Sequence, residues 1–524
     1  MADLRRALWA GDADALLNVI ESHPLESWHA IRPWHTRRLL EALPRHRAAA
    51  SDVVHYVFGT GPHAGWCDAG PVGHAGSMGH AGSARRAVPT GRASPEVHPG
   101  GVVHAGQADR SEQEGCGEAG RHSVWAMVCE LREQRRGRPR AAMEAGLSVR
   151  EVLALRPEGV NPAVWKAMCC YEIGVTSMLA GEMSAALEAF AAVQSAEPPR
   201  RMGMYSRDAL VKTALVHVLF GDDAVARAKL STSAYAGRTK SWVEAQIDLD
   251  TRFTRAIADG EQRPGALLRL AGGAQIDALG KLWPFYVYAL WRACRRQGAL
   301  PAFRGRLDEL EARIPAELRG DGFPGSALPI ARACFELEDG RPDVADRHLD
   351  EADQQFFLTR LVRSRVALRS GRPEEALEAA ASLRPDTRSL RRLELLRSSM
   401  GADAALQSGR PEEAAAFLGE GLRRTGGLRE AEIGEFSTRV RRFAEASVDD
   451  WPRPGGAAHA RPGLTPREME LLPALCGEGT RKEIAERLLI SFNTLKTHQR
   501  MLYRKMGVSN REELRLVAEK SGLI

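Results

Sequence analysis

Between Leu488 and Arg511 the chain carries no Asp or Glu, while Lys496, Arg500, Arg504, Lys505 and Arg511 are all cationic. A positive run without internal neutralisation suits a phosphate-bearing partner. At about 100° per residue, Lys496, Thr497, Arg500, Tyr503 and Arg504 fall within an arc of about 120°, and Leu495, His498, Leu502 and Met506 occupy about 80° opposite. The spacing predicts one helix with a basic side and an apolar side, of a size that enters the major groove of DNA. A basic helix taken alone is more often the solvated face of a hairpin. The reading therefore turns on the elements that hold this one.

Those elements are marked by end chemistry. Thr465-Pro466-Arg467-Glu468 places a hydroxyl cap, a proline at the first helical position and a glutamate that can reach back to the cap amide. Thr480-Arg481-Lys482-Glu483 repeats the box after Gly477 and Gly479, Ser491 precedes the basic helix, and Ser509-Asn510-Arg511-Glu512 opens a fourth helix after Gly507. Residues 464–524 are thus expected to form a self-capped four-helix domain. Pro473 falls inside its first helix, where it removes a donor and crowds the Met469 carbonyl, so a kink costing about 3 kcal/mol is expected there.

The strings LTPRE, KEIAERL, TLKTH and RKMGVSNREEL, running from Leu464 to about Ala518, resemble the LuxR-type helix-turn-helix, with Leu495 standing where valine is usual. The resemblance implies a bacterial transcription regulator whose third helix lies in the major groove of double-stranded DNA, with the fourth pairing two subunits, around Leu514 to Ala518, on a pseudo-palindromic site. It assigns base reading to Lys496, Thr497 and Arg500, the side the angular positions also turn outward. Contact to the DNA backbone falls to Thr480, Lys482 and Ser491, joined by the neighbouring cations Arg504 and Lys505.

The preceding residues bound the rest. Net charge is +6, and residues 461–524 hold 12 Lys plus Arg against 8 Asp plus Glu, so the excess sits mainly in this last domain. Only 9 of the 73 basic residues are lysine, an arginine bias that fits a GC-rich bacterial genome. The 8 cysteines show no Cys-x-x-Cys spacing, which argues against a zinc site and a disulfide framework and favours a reducing cytoplasm. No apolar stretch has the length of a membrane span, and the first residues lack a signal-peptide core. His498 falls on the inward arc with no second ligand near, so packing is expected and no metal. No cofactor or catalytic residue is expected either. Gly273 and Gly280 have six residues between them where a phosphate loop needs four, and Leu282 stands where Ser or Thr must hold magnesium. A nucleotide switch of the MalT-like kind is therefore excluded, and the chain reads as no enzyme.

Five segments follow. Residues 1–58 carry Leu4, Leu8, Leu16, Leu17 and Ile20 at helical spacing around Gly11-Asp12. Residues 59–122 are rich in Gly, Ala and His, with a near-duplicate at 73–77 and 79–83, and are expected to be a disordered insertion. From 123 to 448 a turn recurs, Gly340-Arg341-Pro342, Gly371-Arg372-Pro373 and Gly409-Arg410-Pro411, with weaker copies at Gly181 and Gly221. This spacing resembles tetratricopeptide repeats and predicts an all-α, TPR-like superhelix with a concave surface for an effector or partner protein. The aromatic run from Leu282 to Trp291 is expected to pack between repeats. Residues 449–463 form a Pro/Gly linker before the 464–524 domain. A competing reading makes the chain an interaction scaffold whose DNA-binding head is degenerate.

Overall fold

The recurring glycines are where the chain reverses. In the computed structural model Gly340, Gly371 and Gly409 take φ of +76°, +70° and +71°, a region open to residues without a Cβ. Arg341 N–H donates to Glu336 O at 2.9 Å and Arg410 N–H to Ala405 O at 2.8 Å, the six-to-one bond that closes a Schellman stop. Pro342, Pro373 and Pro411 then open the next helix where no N–H is needed, followed by acidic residues that suit its positive end. Gly181, at φ +98°, makes the same turn, with Glu182 N–H on Ser177 O at 2.8 Å. Gly221 does not: its φ is −112°, and the next helix is opened by Asp222, whose carboxylate accepts from Ala224 N–H at 2.8 Å.

The structure describes residues 2–31, isolated positions between 39 and 57, most of 128–144, 160–260, 280–448 apart from 297, 450–452, and 466–520 apart from 478, 489, 507 and 509. The 59–122 segment and most of the expected linker lie outside them. Every element among the described residues is helical. None of these helices is long and apolar enough to cross a membrane, and the six described cysteines are free thiols.

Two compact units emerge, residues 1–371 with 383–393, and residues 372–382 with 394–524. The first contains α1 (Ala2–Ala10), α2 (Ala13–Ser22), α3 (Pro24–Ala30), α4 (Pro162–Ala180), α5 (Met183–Ser195), α6 (Met204–Phe220), α7 (Asp223–Tyr235), α8 (Glu244–Gly260), α9 (Trp283–Arg296), α10 (Leu300–Arg313), α11 (Gly322–Glu338), α12 (Pro342–Asp350) and α13 (Phe357–Arg369). Successive helices pair as hairpins with unequal members. Helix α4 is buried along nearly its whole length, whereas its partner α5 buries only Met183, Ala186, Phe190 and Val193, a single i, i+3, i+4 stripe. Helices α6 and α7 repeat the contrast, with Ala226, Leu230 and Ser233 the buried stripe of α7.

Inner helices meet around Phe220, whose ring lies 5.2 Å from Tyr288 and 5.6 Å from Phe357, while Phe323 stands 4.6 Å from Phe285 and 5.0 Å from Phe356. The run from Leu282 to Trp291 belongs to this core: Leu282, Phe285, Tyr286, Val287 and Leu290 are almost wholly covered. Contacts also reach beyond adjacent hairpins. Gly322 at the head of α11 lies against the Leu179 carbonyl at the end of α4, and Arg140 Nε donates to Asp353 at 3.0 Å. Near the chain start, His29 bonds Tyr205 Oη at 2.8 Å and Ser241 Oγ at 3.0 Å, and Trp242 Nε1 donates to Trp28 O at 2.9 Å, fixing α3 on the first turn of α6 and the segment between α7 and α8.

The second unit holds α14 (Pro373–Ser382), α15 (Arg391–Gln407, whose first turn belongs to the first unit), α16 (Pro411–Thr425) and α17 (Thr438–Ser447). Gly401 and Gly421 let α15 and α16 approach, since a Cβ on either would meet Phe417 or Ser398. Trp451, in the stretch expected to be linker, is buried and stands edge-on to Phe436 at 5.0 Å. Four short helices complete the unit: α18 (Pro466–Cys476), α19 (Arg481–Arg487), α20 (Phe492–Met506) and α21 (Arg511–Lys520).

Candidate nucleic-acid interface

The four last helices share one small core, made by Leu471, Leu472 and Leu475 of α18, Ile484 and Ala485 of α19, Leu495, Leu502 and Met506 of α20, and Leu514 and Ala518 of α21. Each helix contributes its apolar stripe, so no member is stable without the others. The capping box predicted at Thr480 is present: Thr480 N–H donates to Glu483 at 2.8 Å, and Glu483 N–H donates to Thr480 Oγ1 at 3.3 Å. Helix α21 is capped by Asn510, and Ser509, the expected hydroxyl, lies outside the described residues. Asn510 Oδ1 accepts from Glu513 N–H at 2.8 Å, and its amide donates back to Glu513 at 2.7 Å. Asn is as good a cap as Ser, so the sequence allowed either register. The box at Thr465 lies outside the described residues.

Helix α18 continues past Pro473 to Cys476, and the proline ring is exposed while Leu472 and Leu475 beside it are buried. The missing donor thus falls on the solvent side.

Lys496 and Arg500 are exposed, one turn apart on α20, on the side away from Leu495, Leu502 and Met506. Lys496 Nζ lies 4.9 Å from the centre of the exposed Phe492 ring, a cation–π contact across i, i+4. Thr480, Lys482 and Ser491 are exposed as well. Thr497, Arg504 and Lys505 lie in α20, and their side chains are outside the described residues.

Two expectations for the basic run change, and one buried residue was not foreseen. Tyr503, placed on the outward arc, is half-buried against the core with a buried hydroxyl that finds no partner among the described residues. Gln499, polar and passed over, is covered, because it lies about 40° from Leu495 on the core side, while His498 is half-buried. Arg511 does not contribute a free charge. Its guanidinium donates to Leu475 O at 2.6 Å, Gly479 O at 2.6 Å and Gly477 O, clamping the end of α18.

A second concentration of charge, missed in the sequence, lies inside the first unit where α4, α6 and α8 face one another. Lys212 is wholly buried and pairs with Asp208 at 2.7 Å and with Asp250. Glu172, also buried, is held by Arg132 at 2.6 Å and by Arg135. Tyr171 Oη donates to Asp208 at 2.5 Å. Burial alone would raise the Glu172 carboxyl, yet the two guanidiniums hold it well below the usual carboxylate range. Burial lowers the nearby Lys281 ammonium to about 8, helped by Arg135 and Lys212. A local signal was Asp208 and Lys212 at i, i+4 in a mostly apolar helix.

Against known proteins, residues 462–518 match the family described as "Bacterial regulatory proteins, luxR family". A curated relative, the probable transcriptional regulatory protein SgaR of Hyphomicrobium methylovorum, is 56% identical over 48 residues. That match covers 9% of this chain and 23% of the relative. Residues 462–518 are therefore a domain of the LuxR family of bacterial regulatory proteins, carried on a chain whose other residues these matches do not reach.

Proposed function

We propose that this protein is a sequence-specific DNA-binding transcription regulator. In this reading α19 and α20 are the helix-turn-helix, α20 enters the major groove, and Lys496, Thr497 and Arg500 read base edges. Thr480, Lys482, Ser491, Arg504 and Lys505 hold the sugar-phosphate backbone and set the register. The observation that carries the reading is the pair Lys496 and Arg500, exposed one turn apart on a helix whose opposite side is the domain core. The LuxR-family match over the same residues supports it. The helical hairpins act as a TPR-like region that senses an effector or partner. Two copies bind together on DNA, and since Leu514 and Ala518 are in the domain's own core, the exposed Leu516 is the apolar side chain of α21 open to a second copy.

Electrophoretic shift and footprinting of the full chain against fragments of the source genome test this. Lys496→Ala and Arg500→Ala each change the preferred site, at a cost of about 1–3 kcal/mol at the base pair concerned, while Lys482→Ala weakens all sites alike and lowers the salt slope by about 1. Unchanged site preference in both recognition-helix variants removes the assignment, and a full chain without salt-sensitive DNA binding leaves the scaffold reading instead.

A further inference from the structure

Among the described residues the exposed large apolar side chains are Trp9, Tyr235, Phe492 and Leu516. Single apolar side chains on a surface are ordinary. Phe492 is set apart by its neighbours. It is the first residue of α20 and stands one and two turns ahead of Lys496 and Arg500, so the three form an exposed row at i, i+4 and i+8. On the same helix Leu495, Leu502 and Met506 are covered by the domain core, whereas the Phe492 ring is 42% exposed. Its angular position lies within about 20° of Gln499 and Tyr503, which are covered and half-buried, yet at the head of the helix the ring stays open. Lys496 Nζ lies 4.9 Å from the ring centre, so ring and ammonium belong to one surface.

We infer that Phe492 is a fourth base-reading residue, which contacts the C5-methyl group of a thymine next to the base pair that Lys496 reads. This inference rests on the DNA-binding function proposed above. A recognition helix lying in the major groove brings its N-terminal residues to the base edges, and Phe492 is the most N-terminal residue of α20. The class of base follows from chemistry. A phenyl ring has no donor or acceptor to match against the polar pattern of the groove, and the C5-methyl of thymine is the apolar group displayed there. A cytosine in the same place sets an amine against the ring, and that amine loses water without gaining an acceptor. Against a base-pair step of about 3.4 Å, the 4.9 Å between ammonium and ring centre puts the two contacts on neighbouring base pairs.

The test uses the full chain and duplexes that it selects from a randomised pool. Lys496→Ala locates the base pair read by the lysine, as the position whose preference relaxes, and a thymine is expected beside it. Replacing that thymine by deoxyuridine removes only the methyl group and should weaken binding by the parent about three- to fivefold, the yield of one buried methyl. Phe492→Ala should bind the thymine and deoxyuridine duplexes equally, and Phe492→Leu, which keeps an apolar tip, should retain most of the discrimination. The deoxyuridine comparison on the parent needs no variant, so it decides even where Phe492→Ala fails to fold. No thymine beside the Lys496-dependent base pair, equal binding of both duplexes by the parent, or parental discrimination in folded Phe492→Ala overturns the inference and leaves Lys496 and Arg500 in place. A chain that selects no duplex overturns the DNA-binding reading itself, and one whose preference survives Lys496→Ala unchanged takes away the lysine beside which Phe492 is placed; the inference falls in both cases.

Discussion

The four-helix domain at the end of the chain and the first unit place their charges in opposite ways. In the LuxR-family domain Lys482, Lys496 and Arg500 stand in solvent around an apolar core, whereas in the first unit Lys212, Glu172 and Asp250 are among the most buried side chains. A solvated cation is available to an external polyanion and adds little to folding. A desolvated one must be paired, and it ties its partners to one geometry. The same residue type is therefore a contact surface in one region and an internal constraint in the other. Substitutions separate the two on a single scale, the stability of the chain.

The largest effect is expected at Lys212. Lys212→Met fills the space but leaves Asp208 and Asp250 buried without their shared cation, and a loss of about 3–5 kcal/mol in denaturant unfolding follows. Adding Asp208→Asn and Asp250→Asn to the same chain should recover much of the loss, because no uncompensated charge remains. A single variant as stable as the parent breaks the comparison at its strongest point.

Acid sharpens it next. Burial holds His29 well below its usual range, with Arg132 acting in the same direction, so the folded chain keeps the ring neutral while the unfolded chain takes a proton below about 6.5. Stability linked to this group is present above the unfolded value and is lost as pH falls, with a slope of about 1.4 kcal/mol per pH unit for one proton. Glu172 adds a second loss of the same sign at lower pH, since its folded carboxyl is depressed and the stability it supplies disappears as the unfolded carboxyl becomes protonated. Unfolding curves between neutral and mildly acidic pH should show the His29 slope in the parent and its loss in His29→Asn. A parent whose stability is flat through that window contradicts the neutral, buried His29.

Arg511 tests the border between the two behaviours, because it lies in the exposed domain and acts internally. Arg511→Ala removes three donors from the carbonyls of Leu475, Gly477 and Gly479, and a loss of about 1–3 kcal/mol from the four-helix domain is expected. The salt slope of DNA binding, measured where the variant is folded, should not change. A lowered slope with parental stability would return Arg511 to the phosphate-facing set.

How far these roles are legible in the sequence also differs between the regions. Caps and stops are local, so Thr480 with Glu483 and the Gly-Arg-Pro turns could be read directly from residue order. Angular position on one helix is equally local and gave Leu495, Leu502 and Met506 as core and Lys496 and Arg500 as surface. It failed at Tyr503, which sits at the edge of the outward arc nearest the core, about 80° from Leu495, and it passed over Gln499, which at about 40° lies just outside the apolar arc. Arg511 was misread for another reason. Its acceptors lie 32 to 36 residues earlier in the chain, and no periodicity reports a tertiary clamp. The Glu172–Asp208–Lys212–Asp250 cluster was hidden in the same way, since its members come from three helices whose facing is set by packing.

The smallest effect on folding is expected where the effect on function is proposed to be greatest. Lys496→Ala removes an exposed ammonium and its contact with the Phe492 ring, a contact worth about 0.5–1 kcal/mol at an exposed site and offset by the rotamer freedom that the shortened side chain no longer loses. Stability within about 0.5 kcal/mol of the parent is therefore expected, and the same holds for Arg500→Ala. Phe492→Leu separates the components: it removes the ring and keeps the ammonium, so a change in DNA-site preference in this variant as well would mean that the ring holds Lys496 in its reading position. If instead Lys496→Ala destabilises the domain as strongly as Arg511→Ala, the lysine is a structural group, and the contrast between outward and inward cations fails where the DNA-binding reading most depends on it.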